Sequence, residues 1–278
     1  MDGVNHQQEA PAGAGQAAGP RRYSDLQGIA RALAILETLA EQPLRAKELA
    51  DALDLKWTTA YRALTHLRET GYVRKDEATG LYAVGSRLYS LGTSYVAHHP
   101  MVPVARPILR AAADEAHATA QLVERDRHRS IVLAVAEPAS ETIPRATAGH
   151  HFPLHCGSKG HLLLACADEA TIDEYLARPL EQLTRHTVVD PTALRALLDE
   201  IRAQGYAVTR RDVQLSTGSL AAPVHDGSGA VVACVCLITS ASQLDEREET
   251  LLEVVLDAAR SISTALGWRP ALGARVDP

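Results

Sequence analysis

The most telling arrangement of residue types lies between positions 56 and 75. At about 100° per residue, Ala60, Ala63, Leu64 and Leu67 gather on one side of a helix predicted over 58–69, and Thr58, Thr59, Tyr61, Arg62, Thr65 and His66 gather on the other. The second side offers hydroxyls, an aromatic ring and a guanidinium, and no carboxylate. A merely solvated face mixes Glu with Lys, whereas a face that meets base edges needs donors of fixed geometry beside a local excess of cations. Arg62 suits a bidentate contact with guanine. Thr58 and Thr59, at the helix N-terminus, suit phosphate or a thymine methyl. Tyr61 and His66 share that face. Residues 56–75 hold Lys56, Arg62, Arg68, Arg74 and Lys75 against the single acid Glu69, in a chain whose formal net charge is -6. Arg45, Lys56, Arg74 and Lys75 fit backbone positioning.

A second group is His150, His151, His155 and His161 around Cys156. It lacks the i, i+4 histidine pair or CxxC spacing that fixes a transition metal, so a loop with scattered histidines is favoured and no metal or cofactor is expected. A thiol nucleophile at Cys156 with His155 or His151 as base is the enzyme alternative, although sequence neighbours rarely supply that geometry.

The elements needed to hold these groups are legible. Residues 1–22 are rich in Ala, Gly, Gln and Pro and read as a disordered tail. Arg21-Arg22 is followed by charged residues, against an export signal. Leu26, Ile29, Leu33, Leu36 and Ala40 form one apolar stripe of a first helix, ended by Pro43. A second helix over 46–53 turns Leu49, Ala50 and Leu53 inward; the third ends at Gly71. Strands over 72–75 and 81–84 complete a winged helix-turn-helix, assigned to 23–85. A linker helix occupies 86–103, with Leu88, Leu91 and Tyr95 on one side, ended by Pro100 and Pro103. Beyond it an α/β region spans 104–267, followed by a tail at 268–278. It contains a strand at 131–135, a buried helix at 162–165 and a helix from Asp190-Pro191 to Gly205. Strands over 220–225 and 230–238 flank the hairpin signal Asp226-Gly227-Ser228-Gly229, and a long final helix carries Leu251, Val255, Ala258, Ile262 and Leu266.

Composition limits the alternatives. The chain has 278 residues, 46% hydrophobic and 22% charged, enough for two buried cores. Its longest apolar run, residues 230–238, is about half of what a membrane helix needs, so no membrane partner is expected. Four cysteines without CxxC spacing read as reduced thiols, in keeping with a cytoplasmic, nucleoid-associated protein.

The segments "LADALDLKWTTAYRAL" (49–64) and "GYVRKDEATGLYAVG" (71–85) resemble the DNA-binding domain of IclR-type bacterial transcriptional regulators. "GHHFPLHCGSKGHLLLA" (149–165) is similar to that family's effector loop, and "GYAVTRRDVQLSTGSLAAPVHDGSGAVVACVCLI" (205–238) resembles its core strands. The resemblance covers about 25–267. It implies an α+β two-domain fold: an N-terminal winged helix-turn-helix, a linker helix and a C-terminal GAF-like α/β effector-binding domain with a mainly antiparallel sheet. It further implies a homodimer or dimer of dimers on palindromic double-stranded operator DNA, with effector binding moving the DNA-binding heads through 85–102.

Carried over position by position, the resemblance places the effector at Cys156, Gly157, Ser158, Lys159 and Gly160, with Asp212, Ser219, Cys236 and Ile238. The last two positions usually hold small hydroxyl residues. A thiol and a branched alkyl here suit a larger, partly apolar or aromatic organic acid better than a two-carbon keto acid. Arg210 and Arg211 stand where the family often has acids. On a strand they would point to opposite faces, one available to a carboxylate, or both would face solvent. His161 replaces the usual lysine. The expected function is a ligand-responsive repressor or activator of catabolic genes. The alternatives are a small-molecule sensor using its winged helix for protein contacts, and a Cys-dependent enzyme.

Overall fold

The computed structural model describes residues 28–138 and 147–269. The tail expected at 1–22, residues 270–278 of the tail expected at 268–278, and Leu26 of the first apolar stripe lie outside the described residues. The chain divides into two compact units that meet in sequence at Tyr95 and Val96.

In the first unit, α1 (Gly28–Glu41), α2 (Ala46–Ala52) and α3 (Trp57–Glu69) are followed by the hairpin β1 (Val73–Lys75) and β2 (Tyr82–Val84). Its core joins Ile35 and Leu39 of α1, Leu49 and Leu53 around α2, Leu64 and Leu67 of α3, and Val73 and Tyr82 of the wing. Leu44 bridges to Tyr82 and ties the wing to the segment before α2. Asp54, between α2 and α3, adopts φ 50°, a conformation that aspartate tolerates better than most residues. The stripe expected for α1 needs correction: Ile29 and Leu33 are 79% and 54% exposed, whereas Ala34, Ile35 and Leu39 are buried. Apolar residues occupy most of the circumference of α1, so periodicity identifies the helix without choosing its inner face.

Helix α4 (Ser86–His98) follows, and it buries no residue fully; Leu88 is half-buried, while Leu91 and Tyr95 are exposed. It stops before Pro100, short of the limit of 103 expected from the sequence. Pro103 lies instead in the first turn of α5 (Val102–Ala116), where a proline's missing N–H costs nothing.

The second unit continues through β3 (Thr119–Asp126), β4 (Arg129–Ala136), β5 (His151–Pro153), α6 (Gly157–Ala165), α7 (Glu169–Leu176), α8 (Pro191–Gln204), β6 (Ala207–Arg210), β7 (Thr217–His225), β8 (Val231–Ser240) and α9 (Ala241–Ala265). The strands form one sheet in the order β5-β4-β3-β8-β7-β6, with every neighbouring pair antiparallel. Helices α5 and α9 pack through Ala105, Leu109, Leu251, Val255 and Ile262 with Leu122, Leu220, Val235 and Leu237 on one face. Leu162 and Leu164 of α6, Ile172 and Tyr175 of α7, and Leu194 and Leu198 of α8 pack with Val123, Ala221, Cys234 and Cys236 on the other. Asp190 caps α8 by accepting from the Ala193 N–H at 2.7 Å, and Gly205 ends it at φ 79°. Trp268, at the start of the expected tail, stacks its ring on His225 with centroids 4.8 Å apart.

Helix α5 and strand β3 have no counterpart in the sequence reading. Strand β3 lies inside the sheet between β4 and β8, and its α6-facing side carries the buried polar residues Thr119 and Gln121. Those residues interrupt the apolar pattern by which an inner strand is recognised.

Candidate functional site

Two helices carry the candidate residues. On α3, Ala60 and Leu64 are fully buried, while Thr58, Tyr61, Arg62 and His66 are exposed and Thr59 is half-buried. The predicted two-faced helix is therefore present. Thr65 is already engaged, its hydroxyl donating to the Tyr61 carbonyl at 2.9 Å. Trp57, absent from the sequence reading, opens the helix 53% exposed and stacks on Tyr61, with centroids 5.1 Å apart and planes at 19°. An exposed tryptophan at a helix N-terminus was the available signal.

The cations beside this face divide into two sets. Lys56, Arg62 and Arg74 form no ion pair among the described residues. Lys75 donates to Glu77 at 2.7 Å, an interaction that raises its own pKa and lowers that of Glu77. Arg68 lies 3.8 Å from the same carboxylate. Arg45 Nε donates to the Thr79 carbonyl at 3.4 Å, which places its guanidinium beside the wing. Glu77 sits just beyond the window over which charge was summed, so the free cationic excess is smaller than the local count implies.

The second set surrounds the start of α6. The Gly157 N–H donates to Asp212 Oδ2 at 2.5 Å, and the Ser158 N–H donates to Thr209 Oγ1 at 3.1 Å and Ser219 Oγ at 3.4 Å. Ser158 Oγ donates to Ser219 Oγ at 2.8 Å and lies 3.6 Å from Cys236 Sγ. Ile238 pairs with Ser219 across the β7–β8 ladder and so shares its side of the sheet. Residues far apart in sequence thus meet in one buried polar seam. Cys156 is the N-cap residue of α6 and is fully buried; burial first, and the nearby Asp212 charge second, push its thiol well up. Burial raises the Cys236 thiol as well.

Two of the expected effector residues stand apart from this seam in their surroundings. Arg210 is on β6 next to Thr209, so its side chain leaves the opposite face of the sheet. It pairs there with Asp245, at 2.7 Å, and with Glu248 of α9. Arg211 lies past the end of β6 at φ 59°, 3.9 Å from Asp245. Gly160 faces backbone: a Cβ there would lie 2.7 Å from the Leu154 carbonyl oxygen, so its missing side chain permits close packing. A groove of about 570 Å³, lined by Tyr206, Asp245, Glu246, Glu248, Glu249 and Leu252 among others, lies along α9. Its carboxylates disfavour an anionic ligand.

The histidines are dispersed by the fold. His150 and His151 are exposed, and His155 is held between the Tyr175 hydroxyl at 2.8 Å and the Glu181 carbonyl at 2.9 Å. His161 is buried 2.9 Å from the His155 carbonyl, its pKa lowered chiefly by burial and opposed by Asp212 at 3.8 Å. Among the described residues, no three His, Cys, Asp or Glu side chains are grouped to hold a metal. No described helix is long and apolar enough to cross a membrane.

Residues 28–77 match the IclR helix-turn-helix domain, and residues 93–264 match the bacterial transcriptional regulator IclR C-terminal domain. The chain is 28% identical over 255 residues to the HTH-type transcriptional repressor AllR of Klebsiella pneumoniae, covering 90% of this chain and 94% of that one. The crystal structure of an IclR transcriptional regulator from Alicyclobacillus acidocaldarius superposes with TM-score 0.76 at 27% identity, covering 86% of this chain and 98% of the other. An IclR homologue from Microbacterium hydrocarbonoxydans, crystallised with 4-hydroxybenzoate, has the same fold: TM-score 0.74 at 24% identity, covering 86% and 98% of the two chains.

Proposed function

The chain belongs to the IclR family of bacterial transcriptional regulators, which join a DNA-binding helix-turn-helix to an effector-binding domain, and from that premise we propose how its own residues divide the work. Helix α3 enters the major groove, with Arg62 reading guanine, Thr58, Thr59, Tyr61 and His66 on base edges or sugar–phosphate, and Arg45, Lys56, Arg74 and Lys75 along the strands. Two copies in a homodimer, or four in a dimer of dimers, read a palindromic operator. The second domain senses a small organic acid with an apolar or aromatic body at the seam formed by Cys156, Gly157, Ser158, Asp212, Ser219, Cys236 and Ile238. The protein represses catabolic genes in the cytoplasm, on the nucleoid.

The observation that carries this reading is the exposed side of α3: Thr58, Tyr61, Arg62 and His66 face solvent, Arg62 forms no ion pair among the described residues, and no carboxylate interrupts them. Protein docking by the winged helix would favour a face with more apolar area or mixed charge. The enzyme alternative is weakened at its nucleophile and at one of its two candidate bases. Cys156 is held as a neutral thiol by burial, and His155 is taken up by Tyr175 and Glu181. The test is footprinting of the full-length protein on genomic fragments at low salt, with and without added aromatic acids. A protected two-fold-symmetric motif is expected; protection without any preferred motif overturns the reading.

A further inference from the structure

Lys159 is an unusual resident of the sensor core. Its side chain lies on α6, 95% removed from solvent, and it has no carboxylate partner among the described residues. Among the described residues its ammonium donates once, to Gln121 Oε1 at 3.1 Å, and sits 3.9 Å over the ring of Phe152, the only phenylalanine in the chain. A buried charge without a counter-ion is costly. Burial pushes the Lys159 pKa down, as expected for such a site.

The neighbouring groups are short of acceptors as well. An ammonium has only donors, so the Gln121 amide must turn its oxygen toward Lys159. Its Nε2 is then left buried without a hydrogen-bond partner among the described residues, and so is the Thr119 hydroxyl, two residues earlier on β3. Residues two apart on a strand share a face. This is the face that Cys236 shares through its pairing with Gln121, and Ile238 through its pairing with Thr119.

We infer that Lys159, with Gln121 Nε2 and Thr119 Oγ1, is the carboxylate anchor of the effector site, and that the ligand is a monocarboxylate with a planar apolar body lying against Phe152. This rests on the effector reading above and deepens it. The usual attraction of a helix N-terminus for an anion is unavailable here, because Asp212 already accepts from the Gly157 N–H. Arg210 is also unavailable, since it is engaged on the far side of the sheet. One buried cation matches one carboxylate; a dicarboxylate would bring a second charge with no cation to meet it.

The test is calorimetry on the full-length protein with benzoate, 4-hydroxybenzoate, phenylacetate and hexanoate, each beside its primary amide. At least one aromatic acid is expected to bind, with its amide about 30-fold weaker or worse. Lys159→Met should weaken the acid by at least about 30-fold, and Lys159→Arg by less, since it keeps the charge at an altered geometry. Gln121→Glu supplies the missing carboxylate from within; it should abolish acid binding while leaving the melting temperature equal or higher, which separates loss of the anchor from loss of the fold. Unchanged acid affinity in both Lys159→Met and Gln121→Glu overturns the anchor and leaves the effector reading standing. A wild-type protein that binds none of the acids overturns the ligand class and the anchor together, and footprinting alone then decides the DNA-binding role.

Discussion

Helices α3 and α6 carry the same kinds of residue under opposite conditions. Helix α3 turns hydroxyls, a histidine and an arginine outward, whereas α6 buries Ser158, Lys159 and His161. On α3 the exposed polar side chains are open to water, Thr65 excepted, so they contribute little to stability and are free for the proposed reading of a large polyanion. On α6 every polar group must find a partner inside the protein or await one. Such a site is coupled to folding and suited to a small ligand, whose few hydrogen bonds are strong because they are desolvated.

Salt should divide the two regions most sharply. Raising it from about 50 to 200 mM should lower operator affinity about 10³-fold or more, as the proposed dimer, with six or more phosphate contacts, releases counterions. Acid affinity should change by less than about twofold, since a buried pair is poorly screened. Parallel salt slopes, from anisotropy for DNA and calorimetry for the acid, would break the contrast.

Single substitutions sharpen it. Asp212→Ala removes the acceptor at the start of α6 and should cost about 2–4 kcal/mol of stability in urea unfolding. Arg62→Ala should leave stability within about 0.5 kcal/mol and cost about 1–3 kcal/mol of operator binding. Equal unfolding curves for the two variants would show that α6 is no more dependent on its polar contacts than α3.

Smaller effects follow at the edges of each site. Glu77→Gln releases Lys75 and Arg68, and should raise affinity for all DNA sequences by about two- to fivefold. Lys75→Ala should weaken all sequences alike and flatten the salt slope; a gain or loss confined to one base pair contradicts the backbone role. Arg210→Ala should change stability by less than about 1 kcal/mol, because its pairs are partly solvated, and leave acid affinity unaltered. A large loss of acid binding would return Arg210 to the effector site.

The elements bounded by strong punctuation were legible: Asp190-Pro191 and Gly205 frame α8, Gly71 closes α3, and Asp226–Gly229 joins β7 to β8. Residues of uniform apolar character were not. Helix α1 could have buried several faces, while α5 is rich in alanine and β3 mixes polar residues with a few apolar ones, so that their burial comes from what covers them. At the sites, the outward face of α3 followed from rotation alone, because a helix fixes the relative directions of its own side chains. Trp57 was one residue outside the helix boundary expected, and Glu77 was two residues outside the charge window.

Local sequence therefore determined the helices and hairpins that strong punctuation bounds, and which side of α3 is polar, since those depend on neighbours three or four residues apart. Tertiary structure alone decided that Arg210 faces α9, that Asp212 reaches the Gly157 amide, and that Lys159 meets Gln121. These contacts join residues from 35 to 55 positions apart. Strand order and register set them, and no local periodicity encodes either one.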